Sequence, residues 1–268
     1  MSTMTIPQLQ AMKPAGQKSA CIVAWDYQMA RIADRAGADI ISVGDSVGVN
    51  LWGQSHPLEI TMGEILVAAK AVRRGVDNAL LSCDFPFGPL QEGAKEAVSA
   101  AIRLAKEAGV DLVKLDGAAD FPEAVAAVTR AGVPVFAQFG ITPQTALKYG
   151  VAYSQAEGAL VPDEMVEQFV AEAKRLESAG AVALNFTNSG PVVGPAVVDA
   201  VCIPVLGGFG GGPWLDGRIR MSTAAIGYNA RWIDKEPTTY ANVGRVAYDA
   251  LTECIADIRA AQHLRGQS

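Results

Sequence analysis

The chain has 268 residues, of which 50% are apolar and 19% are charged. That composition excludes a disordered chain, and the length suits either one large α/β domain or two small ones. With 28 acidic and 22 basic residues, the net charge is −6, which argues against general binding to nucleic acid or to an anionic membrane, since both are polyanions.

The N-terminus and the cysteines bear on where the protein works. The first ten residues contain no apolar signal region, so we expect no secretory signal. Four cysteines occur without a CxxC pair, and each lies among apolar neighbours: Cys21, Cys83, Cys202 and Cys254. We expect all four to be reduced and buried, with no disulfide and no zinc site.

Residues 178–215 are nearly uncharged, but their prolines and glycines exclude a membrane span. The sequence therefore predicts a soluble cytoplasmic protein.

Short β-branched runs alternate with Ala-rich amphipathic helices along the chain. A helix that ends in glycine and leads into a strand recurs as RAGADIISV from Arg35, RRGVDNALLS from Arg73, EAGVDLVKL from Glu107, RAGVPVFAQ from Arg130 and SAGAVALNF from Ser178. We expect each glycine to provide the left-handed residue that stops the helix, and the residues after it to enter a buried strand.

The number of these units predicts the architecture. Residues 19–25 and 202–206 bring the strands to seven, and an eighth could lie near 218–226. Alternating strands and helices predict a parallel sheet. Nearly eight units favour one closed (β/α)8 TIM barrel domain over residues 1–268, with a terminal helix over 239–261. An open doubly wound sheet is the alternative fold.

Three neighbouring strands are each followed by a carboxylate: Asp45, Asp84 and Asp116. Since the chemistry of such a barrel lies where its strands end, we expect these groups to meet at one site. Clustered carboxylates repel one another unless a cation lies among them, and oxygen ligands favour Mg²⁺ or Mn²⁺. Lys114, two residues before Asp116, would face the same way and could neutralise a substrate carboxylate or an enolate.

Structural roles compete with these functional ones. Any one of the three aspartates could cap the helix that follows it, although three caps beside a lysine are harder to explain. We expect Asp26 to cap a helix, whereas Ser46 could cap one or bind substrate. The glycine-rich residues 208–212 predict a tight loop at the barrel mouth rather than a dinucleotide site. The two histidines, His56 and His263, lack partners at recognisable spacing, so we expect both at the surface.

Four motifs identify a family that the chain resembles: GDS at 44–46, DFPF at 84–87, VKLDG at 113–117 and GITPQ at 140–144. They resemble the 3-methyl-2-oxobutanoate (ketopantoate) hydroxymethyltransferases, in the same order, over roughly residues 5–260. The resemblance implies a (β/α)8 barrel of the phosphoenolpyruvate mutase/isocitrate lyase superfamily, assembled as a cytoplasmic homodecamer. It also implies a class II aldolase-type reaction on a small 2-oxo acid.

In the implied reaction, Mg²⁺ chelates the 2-oxo and carboxylate oxygens of 3-methyl-2-oxobutanoate and a base removes the C3 proton. The enolate then takes a one-carbon unit from 5,10-methylenetetrahydrofolate to give 2-dehydropantoate, a precursor of pantothenate. By resemblance, Asp45 and Asp84 fall on the metal-associated aspartates, Ser46 on a contact to the substrate carboxylate, and Lys114 on the substrate-binding lysine. Asp116 replaces a family glutamate near the metal and is one methylene shorter.

The chain departs from the family at two places. Gln138 stands where the family has histidine, and Thr187 stands where the family has the glutamate expected to act as base. No glutamate lies between Glu177 and Glu236, so shifting the alignment cannot restore it. A threonine hydroxyl does not accept a proton at neutral pH as a carboxylate does. A water positioned at the metal by Asp116, or one held by Thr187 and Asn185, could serve instead.

These inferences give three sets of candidate residues. The candidate metal ligands are Asp45, Asp84 and Asp116. The candidate substrate-binding residues are Ser46, Asp45, Asp84, Lys114, Gln138 and Asn185. The candidate catalytic residues are Lys114, Asp116 and Thr187. A hydroxymethyltransferase, including a specialised paralogue with another 2-oxo acid, is the leading hypothesis. A lyase or mutase of the same superfamily, or an inactive homologue that binds a 2-oxo acid, are the alternatives.

Overall fold

The computed structural model describes residues 4–236 and 238–266, and in these residues eight parallel strands form a closed barrel in sequence order. The strands are β1 (Ser19–Val23), β2 (Ile40–Val43), β3 (Leu80–Asp84), β4 (Leu112–Leu115), β5 (Val135–Gly140), β6 (Ala183–Thr187), β7 (Val205–Gly207) and β8 (Gly217–Met221). Closure confirms the barrel prediction and excludes the open doubly wound sheet.

Helices connect the strands. They are α1 (Ile6–Met12), α2 (Tyr27–Arg35), α3 (Val47–Leu51), α4 (Met62–Arg73), α5 (Ala94–Arg103), α6 (Pro122–Arg130), α7 (Val166–Ser178), α8 (Val193–Ala200), α9 (Ser222–Ile226) and α10 (Val243–Arg259). Helix α5 continues as one π-turn, and residues 141–165 between β5 and α7 contain short 3₁₀ turns. By its internal contacts the chain divides between Ile219 and Arg220 into two compact units. No helix within the described residues is both long and apolar enough to cross a membrane.

Local capping explains where several elements begin and end. The Asp26 carboxylate accepts a hydrogen bond from the Met29 N–H at 2.8 Å, which confirms it as the N-cap of α2. Four of the five predicted helix-stopping glycines have a positive φ: Gly37, Gly109, Gly132 and Gly180. The prediction is wrong for Gly75, which does not. A Cβ there would lie 2.6 Å from the Tyr27 carbonyl oxygen, so a close approach to α2 requires this glycine.

The barrel interior is apolar at its amino end. The first inward-facing side chains of the strands form one cluster with Leu9 of α1, namely Cys21, Ile40, Leu80, Leu112, Phe136, Ala183 and Leu206. Helix α1 is held there because the Gln10 side chain donates to the Val182 carbonyl at 3.1 Å. Burial of this cluster against α1 therefore closes the amino end.

The interior becomes polar two residues further along the strands. Because side chains alternate between the two faces of a strand, the next inward positions of β2 to β6 are Ser42, Ser82, Lys114, Gln138 and Asn185. All five side chains are buried. Buried polar groups are costly unless they have partners, so this change in polarity identifies the carboxyl ends of the strands as the chemical end of the barrel.

The cysteines follow the prediction only in part. All four are free thiols, and Cys21 and Cys83 are buried in strands. The expectation of burial is wrong for Cys202 and Cys254, which are exposed. Cys202 lies in the connection after α8, and Cys254 lies on α10 among mostly exposed residues. Apolar neighbours in the sequence were therefore no indication that these two side chains would be buried.

Candidate active site

The three predicted carboxylates and Lys114 meet where β2, β3 and β4 end. Asp45 follows β2, Asp84 ends β3 and Asp116 follows β4, and each is no more than 6% exposed. Asp84 and Lys114 are register partners in adjacent strands, and Lys114 Nζ lies 3.0 Å from Asp84 Oδ2. The Asp45 backbone N–H also points to Asp84 Oδ2, at 3.4 Å. Lys114 thus pairs directly with Asp84, and the charges of Asp45 and Asp116 also act on its ammonium in this buried site.

Burial and mutual repulsion shift the ionisation of this cluster. Burial, reinforced by the charges of Asp84 and Asp116, raises the pKa of Asp45 to about 8. Burial also raises the pKa of Asp116 to about 6, although hydrogen bonding from Thr142 and the charge of Lys114 act in the opposite direction. For Lys114, burial disfavours the ammonium, but the surrounding carboxylates outweigh it and the pKa is raised. Strongly perturbed groups in one cluster are typical of functional sites.

The oxygen atoms of the cluster fit a divalent cation. Asp84 Oδ1 and Asp116 Oδ1 are buried, and neither has a hydrogen-bond partner. An orphaned buried carboxylate oxygen is costly, and a cation would satisfy it. Within residues 4–236 and 238–266, no three His, Cys, Asp or Glu side chains are placed to ligate one ion together. Mg²⁺ commonly binds through one or two carboxylates and keeps waters, so the residues fit an ion that also takes water and substrate oxygens.

A glutamine that had no predicted role lies against this cluster. Gln144 Nε2 donates to Asp45 Oδ2 at 2.8 Å and to the Phe85 carbonyl oxygen at 3.1 Å. The Gln144 backbone N–H points to Asp116 Oδ2 at 3.4 Å. Its place in the GITPQ motif was the signal that could have drawn attention to it.

Uncharged polar side chains occupy the ends of β5 and β6. Gln138 Nε2 donates to Thr187 Oγ1 at 3.0 Å, and Gln138 is the register partner of Asn185. All three side chains are buried. The backbones are tightly packed here, because a Cβ on Gly140, whose φ is +95°, would lie 2.3 Å from the Thr187 carbonyl oxygen. This wall of the site can donate and accept hydrogen bonds but carries no group that titrates near neutral pH.

Ser46 and the glycine-rich loop complete the mouth. Ser46 occupies the N-cap position of α3, yet its side chain makes no capping hydrogen bond. It is half-buried, which leaves its hydroxyl suited to a substrate. The loop after β7 turns tightly, as expected, and the Arg218 guanidinium donates to the carbonyl oxygens of Gly207, Gly208 and Gly211.

The histidines are differently placed. His263 is exposed, as predicted. His56 is only partly exposed: its Nδ1 accepts the Leu58 N–H at 3.1 Å, and its ring centroid lies 4.8 Å from that of Tyr153. Burial and then the charge of Asp45 raise the pKa of Tyr153, so this tyrosine lies within electrostatic reach of the cluster.

Known proteins share both the sequence and the fold. Residues 3–263 match the family model described as ketopantoate hydroxymethyltransferase. A 3-methyl-2-oxobutanoate hydroxymethyltransferase from Salinibacter ruber is 35% identical, with 97% of this chain and 96% of that protein covered. One from a Cyanothece species is 37% identical, with 97% of each covered.

Among solved structures, a phosphonopyruvate hydrolase in complex with oxalate and Mg²⁺ has a TM-score of 0.61 at 17% identity, over 98% of this chain and 89% of that one. A 2,3-dimethylmalate lyase, described as a PEP mutase/isocitrate lyase superfamily member, has a TM-score of 0.60 at 14% identity, over 97% of this chain and 88% of that one. At such low identity, these structures show the shared fold.

Proposed function

The chain belongs to the ketopantoate hydroxymethyltransferase family, and we propose that it is a metal-dependent enzyme that adds a one-carbon unit to a small branched 2-oxo acid. The reaction that we propose first is the conversion of 3-methyl-2-oxobutanoate to 2-dehydropantoate, with 5,10-methylenetetrahydrofolate as the one-carbon donor. The observation that carries this proposal is the buried group of three carboxylates around Lys114 at the carboxyl ends of β2, β3 and β4.

The residues of the cluster have distinct parts in this proposal. Asp45 and Asp84 would hold Mg²⁺ or Mn²⁺, with Asp116 close by. The bound ion supplies the positive charge that makes the proton next to the 2-oxo group more acidic. Lys114 places its ammonium beside Asp84 and stabilises negative charge on the substrate carboxylate or on the developing enolate. The Ser46 hydroxyl, which makes no capping hydrogen bond, would bind the substrate carboxylate.

Removal of the C3 proton has to proceed without the family's glutamate. Gln138 and Thr187 bond to each other, and neither takes up a proton at neutral pH. Asp116 suits the task better, since a base works best when its pKa lies near the working pH and that of Asp116 is about 6. We assign proton removal to the Asp116 carboxylate acting through a water that it positions, so that the water relays the C3 proton to the carboxylate. A water held by Thr187 and Asn185 is the alternative.

A changed substrate is the second candidate function. Both departures from the family lie in one hydrogen-bonded pair, Gln138 and Thr187. A single change in the shape of this pocket wall explains both replacements more simply than two independent losses of catalytic groups. This wall would recognise a 2-oxo acid with a polar substituent, because a site built to hydrogen-bond a substrate group rejects analogues that lack it.

Isotope exchange distinguishes the possible activities. The protein is incubated with Mg²⁺ and 3-methyl-2-oxobutanoate in deuterated water, and loss of the C3 proton is followed by NMR. Exchange together with product from formaldehyde or 5,10-methylenetetrahydrofolate supports the transferase. Exchange without addition favours a lyase or mutase of the superfamily. Metal binding with neither result indicates an inactive protein that binds 2-oxo acids.

The proposal includes a homo-oligomer, a homodecamer by resemblance, that works in the cytoplasm. Helix α10 supports the first part, since several of its aliphatic side chains are exposed, with 66% of Val246, 62% of Leu251 and 56% of Ile258 accessible. Apolar surface of this kind is a feature of subunit interfaces. The location rests on the resemblance alone.

A further inference from the structure

Gln144 connects the ends of three strands from a loop that follows a fourth. One of its side-chain N–H groups points to Asp45 after β2, and the same nitrogen donates to the carbonyl of Phe85 after β3. Its backbone N–H points to Asp116 after β4. Two of the three clustered carboxylates therefore take a hydrogen bond from this single residue.

The geometry of the amide fixes the direction of the Asp45 carboxylate. Both hydrogens of a primary amide lie in one plane, so satisfying the Phe85 carbonyl aims the other hydrogen at Asp45 Oδ2. The loop itself is held by a turn, in which the Thr145 N–H donates to the Thr142 carbonyl at 3.1 Å and the two threonine hydroxyls bond at 2.6 Å. The Gln144 amide is thus held at its tip by the Phe85 carbonyl and at its backbone by the Thr142–Thr145 turn.

An uncharged donor suits this position. A lysine here would compete with a cation for Asp45, whereas an amide orients the carboxylate and leaves its negative charge in place. Residues that orient metal ligands by hydrogen bonds typically contribute about 10–100-fold to metal affinity.

We propose that Gln144 is a positioning residue for the metal site, holding Asp45 through its amide and Asp116 through its backbone N–H in the orientation that binds the ion. This assignment rests on the proposed function, because it requires that Asp45 and Asp116 face a divalent cation.

Mn²⁺ binding measured by electron paramagnetic resonance tests the assignment without relying on turnover. Gln144→Met keeps the length of the side chain and removes its donors, and Gln144→Ala removes both. We expect the dissociation constant for Mn²⁺ to rise by about 10–100-fold in each. Activity lost at limiting Mn²⁺ should return in large part at saturating Mn²⁺, which a damaged fold would not allow. Gln155→Ala, in the same connection but exposed, is the control and should bind Mn²⁺ normally.

The outcomes separate this inference from the proposed function. Unchanged Mn²⁺ affinity in Gln144→Met, beside normal binding by the unmodified protein, overturns the role of Gln144 alone. Equal weakening in Gln155→Ala also overturns it, because the loss would then come from the loop. Failure of both Gln144 variants to fold would assign the residue to the scaffold instead. If the unmodified protein binds no Mn²⁺, the proposed metal site itself is wrong.

Discussion

Lys114 and Asp84 are register partners in the adjacent strands β4 and β3, and their side chains also form a buried ion pair with an N–O distance of 3.0 Å. The pair uses only one oxygen of Asp84, since Oδ1 is buried without a partner. A buried ion pair is weak support for stability, because desolvation offsets much of the attraction. The pair lies at the strand ends, and Asp84 Oδ1 still lacks a hydrogen-bond partner, so we expect the pair to serve ligand binding rather than stability.

Asp84→Ala should abolish Mg²⁺ binding and metal-dependent activity while the barrel still folds. The fold survives because Asp45 and Asp116 remain to compensate the charge of Lys114. Calorimetry measures the affinity, and circular dichroism verifies the fold. Asp120→Ala is a matched control, because Asp120 pairs with the exposed Lys148 outside the cluster. Unchanged affinity in Asp84→Ala would show that the metal assignment is wrong.

Mg²⁺ affinity should increase as the pH rises from about 6 to about 8, the range set by Asp116 and Asp45. Below these values the carboxylates hold protons that the ion must displace. Calorimetric titrations at several pH values measure the trend. A flat profile over this range would mean that neither carboxylate binds the ion.

The metal-free protein should show the opposite trend in stability. The folded-state pKa of Asp45 lies above the unfolded value, so its contribution to stability is fully present below the unfolded pKa and is lost as the pH rises through about 8. The apparent melting temperature should therefore fall between about pH 4, near the unfolded pKa, and about pH 8, and Asp45→Asn should reduce this slope. Differential scanning calorimetry of the two proteins without divalent cations is the test, and identical slopes would contradict the prediction.

Thr187→Glu distinguishes a slow standard enzyme from one with another substrate. A general base contributes about 10²–10⁴-fold to proton transfer. If the protein performs the standard reaction slowly, the new carboxylate should raise C3 exchange of 3-methyl-2-oxobutanoate. If Thr187 and Asn185 recognise a different substrate, the buried charge should abolish the native activity. Thr187→Gln, of the same size but uncharged, controls for volume.

The turnover rate of the unmodified protein also distinguishes a standard enzyme from one with a changed substrate or mechanism. We expect it to turn over 3-methyl-2-oxobutanoate slowly, since Gln138 and Thr187 both differ from the family. Turnover at about 1–10 per second, the rate of an ordinary enzyme, would contradict the expectation of a changed substrate or mechanism.

Light scattering should give a mass well above the 28.0 kDa of one chain. Leu251→Asp on α10 should lower that mass if the exposed aliphatic side chains form the subunit interface, because a buried unpaired charge opposes association. A monomer at micromolar concentration for the unmodified protein would exclude the proposed oligomer.

Patterns within short stretches predicted the strands, the helix stops and the carboxylates at the strand ends. Asp45, Asp84 and Asp116 were predictable because parallel strands bring their carboxyl ends to one side, whatever the intervening loops. The contact of Gln144 with Asp45 spans 99 positions, and no local pattern reports it. The packing of Gly75 against Tyr27 likewise depends on how two helices approach each other, so the residue looked like any other helix-stopping glycine.

Leu9 and the first ring of inward side chains form an apolar cluster at the amino end of the barrel, so we expect polar ligands to enter from the opposite end. Under the proposed function, the oxo acid beside the buried Lys114 would lie below the bulkier one-carbon donor, so we expect the oxo acid to bind first. The spent donor would then leave before the hydroxymethylated acid, and we expect ordered sequential kinetics with the oxo acid as the leading substrate.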